Sequence, residues 1–115
     1  MQLSDLIGKI FVTVQKVEDE VHFIDCTGKG YKLYHGQHCC ENVYIESIVG
    51  ELSDLENVPI INAFQSGSND YLEVEDGIVR LWTFYKFATI KGYVDIRFCG
   101  ETDGPYSIGV DFGEI

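Results

Sequence analysis

The strongest constraint on the fold lies near the C-terminus, where Tyr93 to Cys99 reads Tyr-Val-Asp-Ile-Arg-Phe-Cys and Tyr106 to Phe112 reads Tyr-Ser-Ile-Gly-Val-Asp-Phe. In an extended chain successive side chains point to opposite faces, so alternation of this kind marks half-buried strands. Val94, Ile96 and Phe98 are expected inward with Asp95 and Arg97 outward; Tyr106, Ile108, Val110 and Phe112 are expected inward with Ser107, Gly109 and Asp111 outward. Glu101-Thr102-Asp103-Gly104-Pro105 supplies a turn between them. Just upstream, Ile78 to Ile90 is rich in β-branched and aromatic residues without a helical stripe. It predicts a long strand buried on both faces.

The rest of the chain continues the pattern. Lys9 to Gln15 alternates, with Ile10, Val12 and Val14 on one face, and Val21 to Cys26 resumes after the charged turn Glu18-Asp19-Glu20. Thr27-Gly28-Lys29-Gly30 offers the glycines that a tight hairpin uses, so the second strand and a third at Tyr31 to His35 should pair antiparallel. A fourth strand runs from Val43 to Val49 with Val43, Ile45 and Val49 on one face. Pro59 to Phe64 is apolar and extended, and Gln65 to Asp76 is the least ordered part by composition, with room for a short edge strand at Tyr71 to Val74. Single helical turns are expected at Leu3 to Ile7 and within Glu51 to Val58, the latter stopped by Pro59.

Seven or eight strands with turn signals roughly every ten residues predict a mainly β chain. We expect a single domain over residues 1–115, an antiparallel β-sandwich or small barrel-like sheet with one or two short helical turns. Gly100, Gly104 and Gly109 make the last hairpin slim, which would let a second backbone approach in a homo-oligomer.

Charge narrows the choice of partners. Eight Lys plus Arg stand against 19 Asp plus Glu, a formal net charge of -11, and no basic cluster occurs. Such a surface repels phosphate backbones, which argues against direct nucleic-acid binding. No apolar run is long enough to span a membrane and no export signal opens the sequence, so a cytoplasmic setting is expected, with Cys26, Cys39, Cys40 and Cys99 as free thiols or ligands. The acid clusters Glu18, Asp19, Glu20 and Asp70, Glu73, Glu75, Asp76 either serve solubility or complement a basic protein groove.

The chemistry is concentrated between Tyr31 and Glu46, which hold two of the three histidines, two of the four cysteines and three of the seven tyrosines. His35, His38, Cys39 and Cys40 suggest zinc, but adjacent cysteines on an extended chain project to opposite faces and no second half-site completes a tetrahedron. A Cys–His nucleophile pair is disfavoured because such dyads are assembled from distant segments. The chain is therefore expected to be non-enzymatic and to need no cofactor. As a recognition surface, Gly36 bends the chain while Gln37, His38 and Glu41 are presented outward, with His35 behind them and Tyr34 and Tyr44 flanking. Aromatic rings with a few directional polar groups suit a nucleotide, whose phosphates Arg80, Lys86 or Arg97 would meet. Equally, His35 serves as a hydrogen-bonded histidine at a sheet end and the tyrosines as cross-strand packing.

The run His35-Gly36-Gln37-His38-Cys39-Cys40-Glu41-Asn42-Val43, with Ile48-Val49-Gly50, Asp54-Leu55, Thr83 to Val94 and the closing Tyr106-Ser107 and Val110-Asp111-Phe112, resembles a family of small phage-encoded proteins of unknown function with a His-x-Gln-x-Cys-Cys-Glu signature. The resemblance implies a phage or prophage protein made in a bacterial host cytoplasm, where small proteins often counter host defence. The first expectation is then a counter-defence protein that sequesters a small nucleotide-type signal. The alternatives are an acidic, anti-CRISPR-like inhibitor that mimics nucleic acid before a basic host nuclease, and a structural protein with a Cys/His zinc site.

Overall fold

The computed structural model describes residues 2–68, 72–74 and 77–115. Nine strands run through them: β1 (Thr13–Val17), β2 (Glu20–Ile24), β3 (Gly30–Tyr34), β4 (Asn42–Val49), β5 (Asn62–Ser68), β6 (Leu72–Val74), β7 (Ile78–Thr89), β8 (Gly92–Thr102) and β9 (Asp111–Glu114). They form two antiparallel sheets, β1-β2-β3-β9 and β4-β8-β7-β5, with β6 extending the second beside β7. Single 3-10 turns occupy Leu3–Leu6 and Leu52–Leu55, matching the helical turns expected there. None of the described helical segments is long and apolar enough to cross a membrane.

The sheets share one core. Phe23 of β2 meets Phe87 of β7 with ring centroids 5.1 Å apart, Phe11 lies 5.5 Å from Phe23, and Tyr85 meets Phe98 edge-on at 5.9 Å. Val21, Leu33, Val94, Ile96 and Ile108 are buried in the same core. Burying each large apolar side chain is worth about 1.5–3 kcal/mol, so this seam holds the layers together. The β2–β3 hairpin forms as its sequence requires. Gly28 takes a positive φ of 88° at the turn, and the Asp25 carboxylate accepts hydrogen bonds from the Thr27 N–H, the Thr27 hydroxyl and the Lys29 N–H.

Several strand expectations are corrected. Ile10 and Val12 are exposed, at 52% and 42%, while Phe11 is fully buried. The Ile60 N–H donates to the Lys9 carbonyl and the Asn57 N–H to that of Phe11, so residues 9–11 are bridged to the segment before β5. A bend at Val12 then rephases the chain so that Val14 points inward. In β4 a bulge between Ile45 and Ser47 shifts the register and turns Val49 outward, 60% exposed. β5 continues to Ser68, past the point where composition suggested disorder, and of the expected edge strand Leu72–Val74 is present while Tyr71 lies outside the described residues.

The long strand β7 is not buried on both faces. Thr83, Tyr85, Phe87 and Thr89 are buried, while Trp82, Phe84, Lys86 and Ala88 are only partly covered, because no third layer lies over this sheet among the described residues. Nor do the two alternating C-terminal segments form a hairpin. β8 is flanked by β4 on one side and β7 on the other, leaving no edge, so the chain leaves after Thr102 and β9 pairs with β3 in the other sheet. On that path Ile108 crosses Gly100 so closely that a Cβ there would lie 2.6 Å from the Ile108 carbonyl oxygen. Gly100 thus receives this chain's own backbone.

Truncation should separate core from surface. Phe87→Ala is expected to lower stability by about 3–5 kcal/mol, and Val49→Ser, on the outward side of the bulge, by less than about 0.5 kcal/mol. Urea unfolding of the two variants checks both figures.

Candidate functional site

The bend between β3 and β4 is organised around a carboxylate that faces inward. Glu41 is 4% exposed, which corrects its expected place on the outer surface. Its carboxylate accepts hydrogen bonds from the His38 N–H at 2.8 Å, the Cys39 N–H at 2.9 Å and His35 Nε2 at 2.7 Å. Burial pushes the Glu41 carboxyl up, but the Cys39 N–H, the His35 ring and the His38 N–H outweigh it and hold it at about 2, below the ordinary 4.5. Gln37 Nε2 donates to the carbonyls of Glu41 at 2.6 Å and Cys39 at 3.2 Å. The other His35 nitrogen, Nδ1, faces the Gly109 carbonyl at 2.7 Å. Both ring nitrogens thus face acceptors. His35 therefore ties the bend to the segment that leads into β9.

The cysteines correct a second expectation. Cys39 and Cys40 are joined to each other and both are exposed, instead of projecting as free thiols to opposite faces. Cys26 is free and exposed; Cys99 is free and buried, and that burial pushes its thiol above the usual range. Among the described residues no three His, Cys, Asp or Glu side chains are grouped to hold a metal ion.

The residues expected to bind a nucleotide do not share one site. Tyr34 lies on the four-stranded sheet under Lys32, whose Nζ is 4.5 Å from its ring centroid. Tyr44, Arg80 and Arg97 lie on the outward face of the five-stranded sheet. There the Tyr44 hydroxyl and Arg80 Nε both donate to Glu101 Oε1, at 3.2 and 3.0 Å, and Arg97 Nε donates to Glu46 Oε1 at 2.8 Å. Lys86 Nζ stands 3.7 Å from Asp95. Each of these three cations already faces a carboxylate. A hydrogen bond with Cys99, then burial and the neighbouring Glu101, hold the Tyr44 phenol well above its usual range.

The bend and the first acid cluster do come together. Glu18, Asp19 and Glu20 of the β1–β2 turn line a cavity of about 160 Å³ with His35, Gln37 and Val43. Asp19 reaches across to accept the Ile45 N–H at 3.2 Å, and Glu20 pairs with His22 at 2.8 Å. Sequence reasoning treated these as separate features. The hairpin at Gly28 carried the signal, because pairing Val21 with Leu33 places the next residues, Glu20 and Tyr34, side by side. In the second acid cluster Asp70, Glu75 and Asp76 lie outside the described residues, and only the backbone of Glu73 is described, within β6.

A second concavity was missed. A groove of about 260 Å³ opens on the outward face of the five-stranded sheet, lined by Ser47, Val49, Ser66, Phe84, Asp95 and Arg97. Reading β7 as half-buried would have turned Phe84 toward it, with Trp82 and Lys86 on the same face.

The depressed Glu41 carboxyl dictates how the bend responds to acid. Its contribution is complete above the ordinary carboxyl value of 4.5 and is lost as pH falls through about 2. Amide protection factors at His38 and Cys39, each taken against the intrinsic exchange rate at the same pH, should therefore hold above pH 4.5 and fall toward pH 2. Glu41→Ala should remove that protection at every pH while leaving exchange in β7 and β8 unchanged.

Residues 4–112 match the model of a family described as a domain of unknown function, DUF7448. No curated protein and no solved structure matches the chain.

Proposed function

We propose, for a chain that belongs to the DUF7448 family of domains of unknown function, the role of a non-enzymatic binding module whose acidic surface docks against a basic groove of a protein partner. In the phage setting implied by the resemblance of its sequence, that partner is a host defence protein in the bacterial cytoplasm, and the bound module blocks the groove that nucleic acid would occupy. The observation that carries this reading is the cavity where Glu18, Asp19 and Glu20 converge beside Gln37. Glu18 and Asp19 are exposed, and the chain's net charge is -11. An acidic concavity on a strongly acidic molecule steers and orients a basic surface. The non-enzymatic part is supported by the bend itself, where His35 is held at both nitrogens and the Glu41 carboxylate is spent on the His35 ring and on the His38 and Cys39 N–H groups.

Charge reversal tests the reading. Glu18→Lys, Asp19→Lys and Glu20→Lys together are expected to abolish capture of a basic protein from host lysate and to slow its association about tenfold or more at low salt. Capture of the same protein at the same rate by the reversed variant would defeat the proposal.

A second reading, sequestration of a small nucleotide, is favoured by the groove, where Phe84 offers a stacking face and Arg97 a cation. A phosphate there must compete with Glu46 for Arg97. Calorimetry against cyclic and linear nucleotides should then give binding that Arg97→Ala weakens about tenfold or more. Absence of heat across the panel removes this reading.

A further inference from the structure

The outward face of the five-stranded sheet has features that the acidic cavity does not explain. Trp82, Phe84 and Tyr93 lie on it, Phe64 is 44% exposed on β5, and Val49 faces outward beside them. Direct pairing of Phe64 with Lys86, Lys86 with Asp95 and Asp95 with Val49 puts these side chains on one face. The charges there balance: Arg80, Lys86 and Arg97 against Glu101, Asp95 and Glu46, each cation beside its own carboxylate. On a chain of net charge -11 this area, among the described residues, balances its charges and is partly aromatic.

We propose that two copies of the chain pack through this face, with the exposed Phe64 of each seated in the groove over Phe84 of the other. A two-fold contact requires one patch to carry both the projecting group and its receptor, and Phe64 and the groove lie on the same face. Charge selects a second copy over a basic partner. Two chains of -11 repel wherever their acids meet, but here each would present matched rows of cations and carboxylates to the other. The area is of the right order. Strands of 8, 11, 12 and 7 residues (β4, β8, β7 and β5), at about 3.4 Å per residue and 4.8 Å between strands, give a face of roughly 600 Å², against about 800 Å² per partner in a standard interface.

Sedimentation equilibrium of the untagged chain tests this. The wild type is expected to show twice the 13.0 kDa chain mass. Phe64→Asp and, separately, Val49→Asp should weaken the dimer by about thirtyfold or more, with circular dichroism close to wild type because both side chains are exposed in the single chain. Val17→Asp, which adds the same charge on the other sheet, should leave the dimer intact. A monomeric wild type would overturn the proposal and return the face to a different occupant, such as the nucleotide. A dimer that withstands both aspartates while Val17→Asp dissociates it would overturn the proposed face. Neither result bears on the acidic cavity, whose charge-reversed variant is read by partner capture.

Discussion

The structure depends on the contact of Phe23 with Phe87, where the inward faces of the two sheets meet. A four-stranded sheet with one wet face cannot bury enough apolar surface alone, so each sheet is stable only as the cover of the other. The rings that extend this contact come from separated stretches: Phe11 before β1, Tyr31 on β3, Tyr85 on β7 and Phe98 on β8. The chain passes between the sheets at their ends, and those passages carry the specific polar bonds. At one end residues 9–11 pair with the segment before β5, and at the other His35 reaches the Gly109 carbonyl. The bend is thus a strap across the mouth of the sandwich, held because the core brings its two ends into place.

Once the inward faces are spent on each other, the two outward surfaces are free to differ in charge. Acids stand in excess at the β1–β2 turn, where Glu18 and Asp19 are exposed and Glu20 meets His22, whereas cations on β7 and β8 are each opposed by a carboxylate from a neighbouring strand or turn position. Cross-strand register enforces the second pattern, since Lys86 stands directly opposite Asp95 and Arg80 opposite Glu101. Surface ion pairs of this kind add little to stability. Their consequence is electrostatic: they cancel the field over one face and leave the acidic end to dominate what the molecule attracts at a distance.

The fold class was legible because period-two alternation survives in β2 and β8 and because Gly28 marks its turn. Val94, Ile96 and Phe98 are buried as their alternation predicts. What escaped were non-local events. The Ile45/Ser47 bulge reverses Val49, the bend at Val12 exchanges Ile10 for Phe11, and β9 leaves its alternating partner because β8 has no free edge. None of these leaves a mark in a local window, since each is decided by which strand arrives on the other side. The nine residues grouped as a nucleotide site were legible as chemistry but not as geometry. Tyr44, Arg80, Lys86 and Arg97 share an outward face, Tyr34 lies on the other sheet, and His35, Gln37, His38 and Glu41 belong to the bend.

Glu41 shows why residue type alone misleads at such a bend. A polar cluster in a loop suggests recognition, yet a loop crossing between two sheets also has backbone N–H groups with no strand to receive them, and leaving such groups buried and unpaired is costly. A carboxylate can accept several hydrogen bonds, so one inward-facing glutamate satisfies the N–H groups of His38 and Cys39 and the His35 ring at once. Gln37 serves the opposite need, donating to the carbonyls of Cys39 and Glu41. Any ligand that required these groups would first have to break bonds the bend needs for its own shape. The density of chemistry in this stretch is accounted for by its architecture, and the groups left over for a partner are those it displays beside itself: the exposed His38 and the carboxylates of Glu18 and Asp19 across the cavity.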